Sequence, residues 1–258
     1  MYAAGRSDAG KVRPQNEDSV FVSEDRVGPL KNLFIVADGL GGHNGGEVAS
    51  AMAVDCFTRF LRESREGPLD AMMAALSYAN GKVYERAEAC AELYGMGTTF
   101  SACSLQGGRL FIVHIGDSRI YRVSRDGIFQ LTSDHSYVNE MVKAGRITKA
   151  QAEAHPQKNI ITKALGLDPG LAADGIVCDT DGGGFLLLCS DGLTDMLSDT
   201  EISDIVNSGG ALEAKADALI RAANERGGVD NISAVLIDVS AATAGGEAET
   251  KAGCPHEV

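Results

Sequence analysis

Three times in this chain an apolar run stops at an aspartate beside a glycine or serine: IVADGLGG at 35–42, VHIGDSR at 113–119 and LLLCSDG at 186–192. Taken one at a time, Asp-Gly after a strand is a turn, because both residues tolerate the backbone angles a turn needs. Two further acidic clusters weaken that reading. Arg13-Pro14-Gln15-Asn16-Glu17-Asp18 stands just before the apolar Val20-Phe21-Val22, and Gly228-Val229-Asp230-Asn231-Ile232-Ser233 opens a last apolar segment. Asp18, Asp38, Asp191 and Asp230 would then all fall at strand ends. If those strands are neighbours the carboxylates converge, and carboxylates crowded into one cleft repel until a counter-charge joins them. Oxygen ligands without His or Cys partners select hard cations: magnesium, manganese or calcium.

The elements that must position these groups are legible in outline. LFIVA at 33–37, stopped by Asp38-Gly39, predicts a buried strand. Residues 47–63 carry Val48, Met52, Val54, Phe57, Phe60 and Leu61 close to helical spacing. Pro68 is placed to open a second helix through Met72, Leu76, Val83 and Tyr84. From residue 98 the period becomes that of strands. TTFSACSL and RLFIVHIG are joined by Gln106-Gly107-Gly108, and SRIYRVS and GIFQLT by Arg125-Asp126-Gly127, which predicts antiparallel hairpins. Asp117 is then either a shaper of a hairpin turn between RLFIVHIG and SRIYRVS or, at the end of an apolar strand, a member of the same cleft. Residues 134–170 are polar and mixed and read as a surface excursion. A strand over 184–189, a helix near 211–225 and a strand over 232–239 follow. Residues 241–258 lack large apolar side chains and read as a disordered tail.

Composition narrows the function classes. The 258 residues include 36 acidic and 23 basic ones, a net charge of −13, which argues against a surface that grips nucleic acid. No apolar run approaches the roughly 18 residues needed to span a bilayer, and the start lacks a secretory signal, so no membrane association is expected. Six cysteines, at 56, 90, 103, 178, 189 and 254, form no C-x-x-C pair and lie mostly in apolar segments. That suits reduced, buried thiols in a cytoplasm.

Arg13 with Asn16-Glu17-Asp18, Asp38-Gly39-Leu40-Gly41-Gly42, Gly97-Thr98-Thr99, Gly116-Asp117-Ser118-Arg119, Ser190-Asp191-Gly192 and Asp230-Asn231 occur in this order. The ordered set, spread over about residues 5–239, resembles the metal-dependent protein phosphatase family, the type 2C serine/threonine phosphatases, in their compact bacterial form. The resemblance implies an α+β fold, a four-layer αββα sandwich of two facing antiparallel sheets flanked by helix pairs. It implies one catalytic domain over 1–240, with a flap subdomain at about 134–170. It further implies Mn2+ or Mg2+ as cofactor, two ions per chain at one end of the sandwich. Asp38 would bridge them, with the Gly39 carbonyl on one ion and Asp191 and Asp230 as ligands. Glu17 and Asp18 would lie around the centre, partly through water, and Arg13 would bind the substrate phosphate. Asp117 with Asp191 would hold a third, weaker ion.

Such a centre hydrolyses phosphoserine and phosphothreonine on proteins through a metal-bridged hydroxide that attacks phosphorus in line, without a phosphoenzyme. An arginine at position 13 forks onto two phosphate oxygens, as a lysine could not. Phosphorylated proteins are the expected partners, with a cognate bacterial serine/threonine kinase as the opposing enzyme, and the chain is expected to act as a monomer. One departure stands out: the histidine that follows the metal-site Asp-Gly in animal members is Leu40 here. His43 is near in sequence, and a loop-stabilising role is expected for it. His114 reads as a core residue, and His135 and His155 fall in the flap. Two other readings compete: a catalytically silent binding module, against which no metal-site Asp is missing, and a hydrolase of small phosphoesters.

Overall fold

A computed structural model describes residues 2–41, 45–180 and 183–239. Its strands are β1 Tyr2–Asp8, β2 Ser19–Ser23, β3 Leu33–Ala37, β4 Gly39–Leu40, β5 Gly97–Thr98, β6 Phe100–Gln106, β7 Arg109–Ile115, β8 Arg119–Ser124, β9 Gly127–Gln130, β10 Asp174–Asp179, β11 Phe185–Cys189 and β12 Ile232–Asp238. The helices are α1 Gly45–Glu63, α2 Pro68–Ala89, α3 Tyr137–Lys143, α4 Lys149–Glu153, α5 Asp191–Thr194, α6 Asp199–Asn207 and α7 Leu212–Glu225. Two five-stranded antiparallel sheets run in the orders β1-β12-β11-β8-β9 and β10-β7-β6-β3-β2.

Alternation along β3 explains the layering. Leu33, Ile35 and Ala37 pack with Ala53, Phe57, Leu61, Met72, Leu76 and Ala79 of α1 and α2. Phe34 and Val36 point the other way, onto Ile120, Leu186, Leu188, Val235 and Ile237 of the second sheet. The opposite face of that second sheet, with Tyr121, Leu187, Leu236 and Ile232, packs on Ile202, Val206, Leu219 and Ala223 of α6 and α7. The order is helices, sheet, sheet, helices, as the family resemblance implies. A strand covered on both faces has no polar side, which is why LFIVA is apolar throughout.

The helices stop and start for local reasons. Pro68 sits in the first turn of α2, where its missing N–H leaves no bond unmade. Ser198 and Glu201 close a reciprocal capping box on α6, and Thr148 and Gln151 do the same on α4. The buried Lys215 of α7 donates to the Val206 carbonyl at 2.8 Å, near the end of α6, and lies 4.2 Å from the Phe185 ring.

The structure departs from the sequence reading in three places. RLFIVHIG and SRIYRVS are not a hairpin: β7 belongs to one sheet and β8 to the other, so Gly116-Asp117-Ser118 is a crossover between layers. The two tight turns predicted at 106–108 and 125–127 are both present, within different sheets. Strands β1 and β10 were not anticipated: β1 is mostly small and polar, and the apolar part of β10 is only Ile176-Val177-Cys178, too short to show alternation. Residues 241–258 and His43 lie outside the described residues.

Candidate metal centre

Antiparallel register brings the five aspartates together. Asp18 directly precedes β2 and Asp38 directly follows β3, and Ser19 pairs with Ala37, so the two acids flank one end of that pair. β3 in turn pairs with β6 and β6 with β7, with Val36 opposite Ser101 and Ser101 opposite His114, so the end of β7 and Asp117 lie at the same end. In the other sheet Cys189 pairs with Ala234, which sets Asp191, just past β11, beside Asp230, just ahead of β12. Four loops and a crossover meet where the two sheets open.

The electrostatics are those of unbalanced negative charge. Burial and then the charges of Asp18, Asp191, Asp117 and Asp230 hold the Asp38 carboxyl well above the ordinary carboxylate range. Burial, with neighbouring aspartates, also pushes Asp18 up to about 7, Asp117 to about 8 and Asp191 to about 6. Asp38 and Asp191 share a side-chain hydrogen bond, which lowers Asp191. The fit is that of a proton held between two acids that resist joint ionisation. Burial likewise raises Glu17, which lies farther out. The two nearby cations are already engaged. Arg13 donates from Nη2 to Asp230 Oδ2 at 2.7 Å, and the partly buried pair Arg119–Asp134 has Nη2···Oδ2 at 2.7 Å. Asp18 Oδ1 and Asp117 Oδ1 are buried with no hydrogen-bond partner among the described residues. Among those residues the side chains do not close into a three-ligand set around one point. The all-oxygen donors, surplus charge and two orphaned carboxylate oxygens nonetheless fit hard divalent cations.

The surrounding backbone is fixed tightly. Asp38 N donates to Thr99 Oγ1 at 2.9 Å, while Thr98 Oγ1 and Thr99 N both donate to the Asp38 carbonyl at 2.8 Å. Gly39 must be glycine, because a Cβ there would strike the Gly46 and Glu17 carbonyl oxygens. At Gly192 it would strike the Asn231 carbonyl. Asn231 is a clamp that the sequence reading left without a role. Its Nδ2 donates to the carbonyls of Ala9 and Gln15, at 3.0 and 2.9 Å, and its Oδ1 accepts from Glu17 N at 2.8 Å. The Asp230-Asn231 pair was the available signal, but its partners are more than 200 residues away in sequence.

The histidines turn inwards or away. His114 is a core residue, as predicted, with Nδ1 2.9 Å from Ser101 Oγ and its ring stacked on that of His135 at 5.1 Å. Burial depresses it to about 4. His135 is buried, accepts from Gly116 N at 3.1 Å and lies 3.3 Å from Asp174 Oδ2, so it faces the crossover rather than a substrate. His155 accepts from Gln157 N at 3.1 Å on the surface of the 134–170 segment.

Residues 11–236 match the model of the family described as Protein phosphatase 2C. The chain belongs to that family. This protein phosphatase 2C member is 39% identical over 243 residues to the serine/threonine phosphatase stp of Listeria welshimeri, covering 92% of this chain and 96% of that one. It is 40% identical over 243 residues to protein phosphatase PhpP of Streptococcus pneumoniae, covering 91% and 96%. Among solved structures it is similar to the catalytic domain of the serine threonine protein phosphatase PstP in complex with two manganese ions. That similarity has a TM-score of 0.80 at 35% identity, over 92% of this chain and 97% of that one.

The raised carboxyls make a stability prediction. Between the ordinary Asp value of about 3.9 and the raised values, the folded chain holds more protons than the unfolded one. Stability therefore falls as pH rises through that window. In chelator, the melting temperature should drop steadily from about pH 5 to pH 8, and Asp38→Asn should flatten the slope. A melting temperature independent of pH over that range, or a wild-type slope in Asp38→Asn, would show that the cluster is not under electrostatic load.

Proposed function

We propose that the aspartate cluster is the catalytic centre of this protein serine/threonine phosphatase and that it works with two divalent cations, manganese or magnesium. The observation that carries the proposal is the surplus of buried carboxylates from both sheets at one end, beside an arginine whose guanidinium already reaches the cluster rim. Asp38, Asp191 and Asp230, with the Gly39 carbonyl, would hold the ions. Asp18 and Glu17 would support them, and Asp117 with Asp191 would supply a third, weaker position. When bound, the ions supply neutralisation of the dianionic phosphate and acidification of the attacking water.

The rest is done by the chain. Arg13 exposes about half of its side chain, 51%, and can swing from Asp230 to fork two phosphate oxygens. The bonds from Thr98 and Thr99 fix the Asp38 main chain and hold the Gly39 carbonyl in place. Leu40 lies in β4, paired with Gly97, and has no proton to give, so the departing alkoxide takes its proton from another source. Residues 134–170 carry α3 and α4 and are tied to the site by Arg119–Asp134 and by the His135–Gly116 bonds. That mooring supports their role as a substrate-selecting flap within a single catalytic domain. Phosphoproteins, and a kinase that makes them, are the proposed partners, with the chain acting as a monomer. The described cysteines are free, three of them buried, which supports a reducing, cytoplasmic setting. No described helix is long and apolar enough to cross a membrane.

Four outcomes test this reading. Turnover of a phosphothreonine peptide should require manganese or magnesium and vanish in chelator. Asp38→Ala should lower it by at least three orders of magnitude with the fold retained, whereas Asp117→Ala should cut turnover while calorimetry still finds two tight manganese sites; near-normal manganese-stimulated activity in Asp38→Ala would sink the assignment. Arg13→Lys keeps the charge but loses the fork, so KM should rise about tenfold with metal affinity unchanged. Wild-type kinetics in Arg13→Ala would make that residue structural. Finally, replacing residues 144–158 should alter turnover of a phosphoprotein more than that of a small aryl phosphate. Equal changes on both substrates would remove the flap from recognition.

A further inference from the structure

Asp18 differs from its neighbours in how its side chain is held. Ser190 Oγ donates to its Oδ2 at 2.8 Å, and the Ser233 hydroxyl also hydrogen-bonds the carboxyl. The other oxygen, Oδ1, is buried and unpartnered among the described residues. A chain of hydrogen bonds stands behind Ser233. Asn16 Oδ1 accepts from Asp18 N at 3.1 Å, which turns its amide nitrogen toward Ser7 Oγ, 2.7 Å away. An amide nitrogen only donates. Ser7 therefore accepts from Asn16 and has its own proton available for Ser233 Oγ, 2.8 Å away. Ser233 accepts that bond and has its proton left for Asp18. Ser7 and Ser233 face each other in the register of β1 and β12, one pair in from its end, with Ser7 exposed and Ser233 buried. Ser190 is oriented in turn: Ser233 N donates to its Oγ at 3.0 Å. The Asn231 carbonyl, at 3.4 Å, is a poor competitor for the Ser190 proton.

Resting on the metal-centre reading above, we propose that Asn16, Ser7, Ser233 and Ser190 are positioning residues, a directed hydrogen-bond relay that ends on Asp18, holds one carboxylate oxygen and presents the other to the cation site. The relay's protons point toward Asp18, whose Oδ2 completes it as an acceptor. A rotated Asp18 would leave the buried Ser190 and Ser233 hydroxyls without this acceptor, in surroundings where an unmade bond is costly. Outer hydrogen bonds of this kind fix the orientation of a ligand, and their loss typically weakens metal binding by about 10- to 100-fold. None of the four residues has to touch the ion or the substrate.

The test is manganese titration by calorimetry on the full chain, with circular dichroism and melting in chelator as fold controls. Ser233→Ala and Ser190→Ala should each weaken manganese binding at least tenfold. Ser7→Ala should weaken it by a smaller factor, and Ser7→Ala combined with Ser233→Ala should be no worse than Ser233→Ala alone, because the two act in series. In an Asp18→Ala background, Ser233→Ala and Ser190→Ala should have no further effect on manganese affinity. A serine that merely packs would reduce affinity equally with and without Asp18, and that outcome would overturn the relay, as would wild-type affinity in both single variants. If Ser233→Ala fails to fold, the Ser190→Ala and Ser7→Ala arms still decide. Failure of the wild-type chain to bind manganese at all would instead bring down the metal-centre reading, and the relay with it.

Discussion

The arrangement depends on one electrostatic constraint: several aspartates are held closer together, and further from water, than free carboxylates would settle. Asp18, Asp38, Asp117 and Asp191 are all pushed above the ordinary carboxylate range, chiefly by burial and then by one another. No local sequence preference gathers such groups. They are assembled because each closes or opens a strand whose position is fixed by hydrophobic packing elsewhere. The stabilisation comes from three apolar layers, and the strain is concentrated at the one end where those layers stop.

Holding that end requires the backbone to be as constrained as the side chains. Gly39 and Gly192 allow neighbouring loops at this end to approach within backbone contact, Gly39 to Glu17 and Gly46 and Gly192 to Asn231. Thr98 and Thr99 bind the Asp38 carbonyl, and Asn231 sews the loop before β12 to residues 9–17. Polar groups buried here are almost all bonded, and the exceptions include a carboxylate oxygen on Asp18 and another on Asp117. Oxygen atoms left over in an otherwise saturated network call for a partner, such as an ion or a water. The same networks reach outward through Arg119–Asp134 and His135–Gly116, so the segment over 134–170 and the crossover bearing Asp117 share their supports.

Much of this was legible in the chain. The helical spacing of α1 and α2, the tight turns at 106–108 and 125–127, and the Asp-Gly stops after apolar runs are local features, governed by residues a few positions apart. The ordered motifs pointed to the family, and the candidate acids do lie at one end of the sandwich. Less legible were the edge strands β1, mostly small and polar, and β10, with an apolar run of only three residues, which pair through main-chain bonds that carry no side-chain pattern. The β7–β8 connection misled for a related reason. A three-residue link between apolar strands has the same composition whether it turns within a sheet or crosses to the next.

The sequence by itself determined which residues could hold cations and which runs would be buried, because residue type sets charge, donor chemistry and apolar period. The tertiary structure alone decided which distant groups meet. Asn231 reaching Ala9 and Gln15, Ser7 facing Ser233, and Asp134 taking Arg119 away from the cluster are consequences of strand order and register. Those follow from how three apolar layers pack, a property of the whole chain that no segment carries alone.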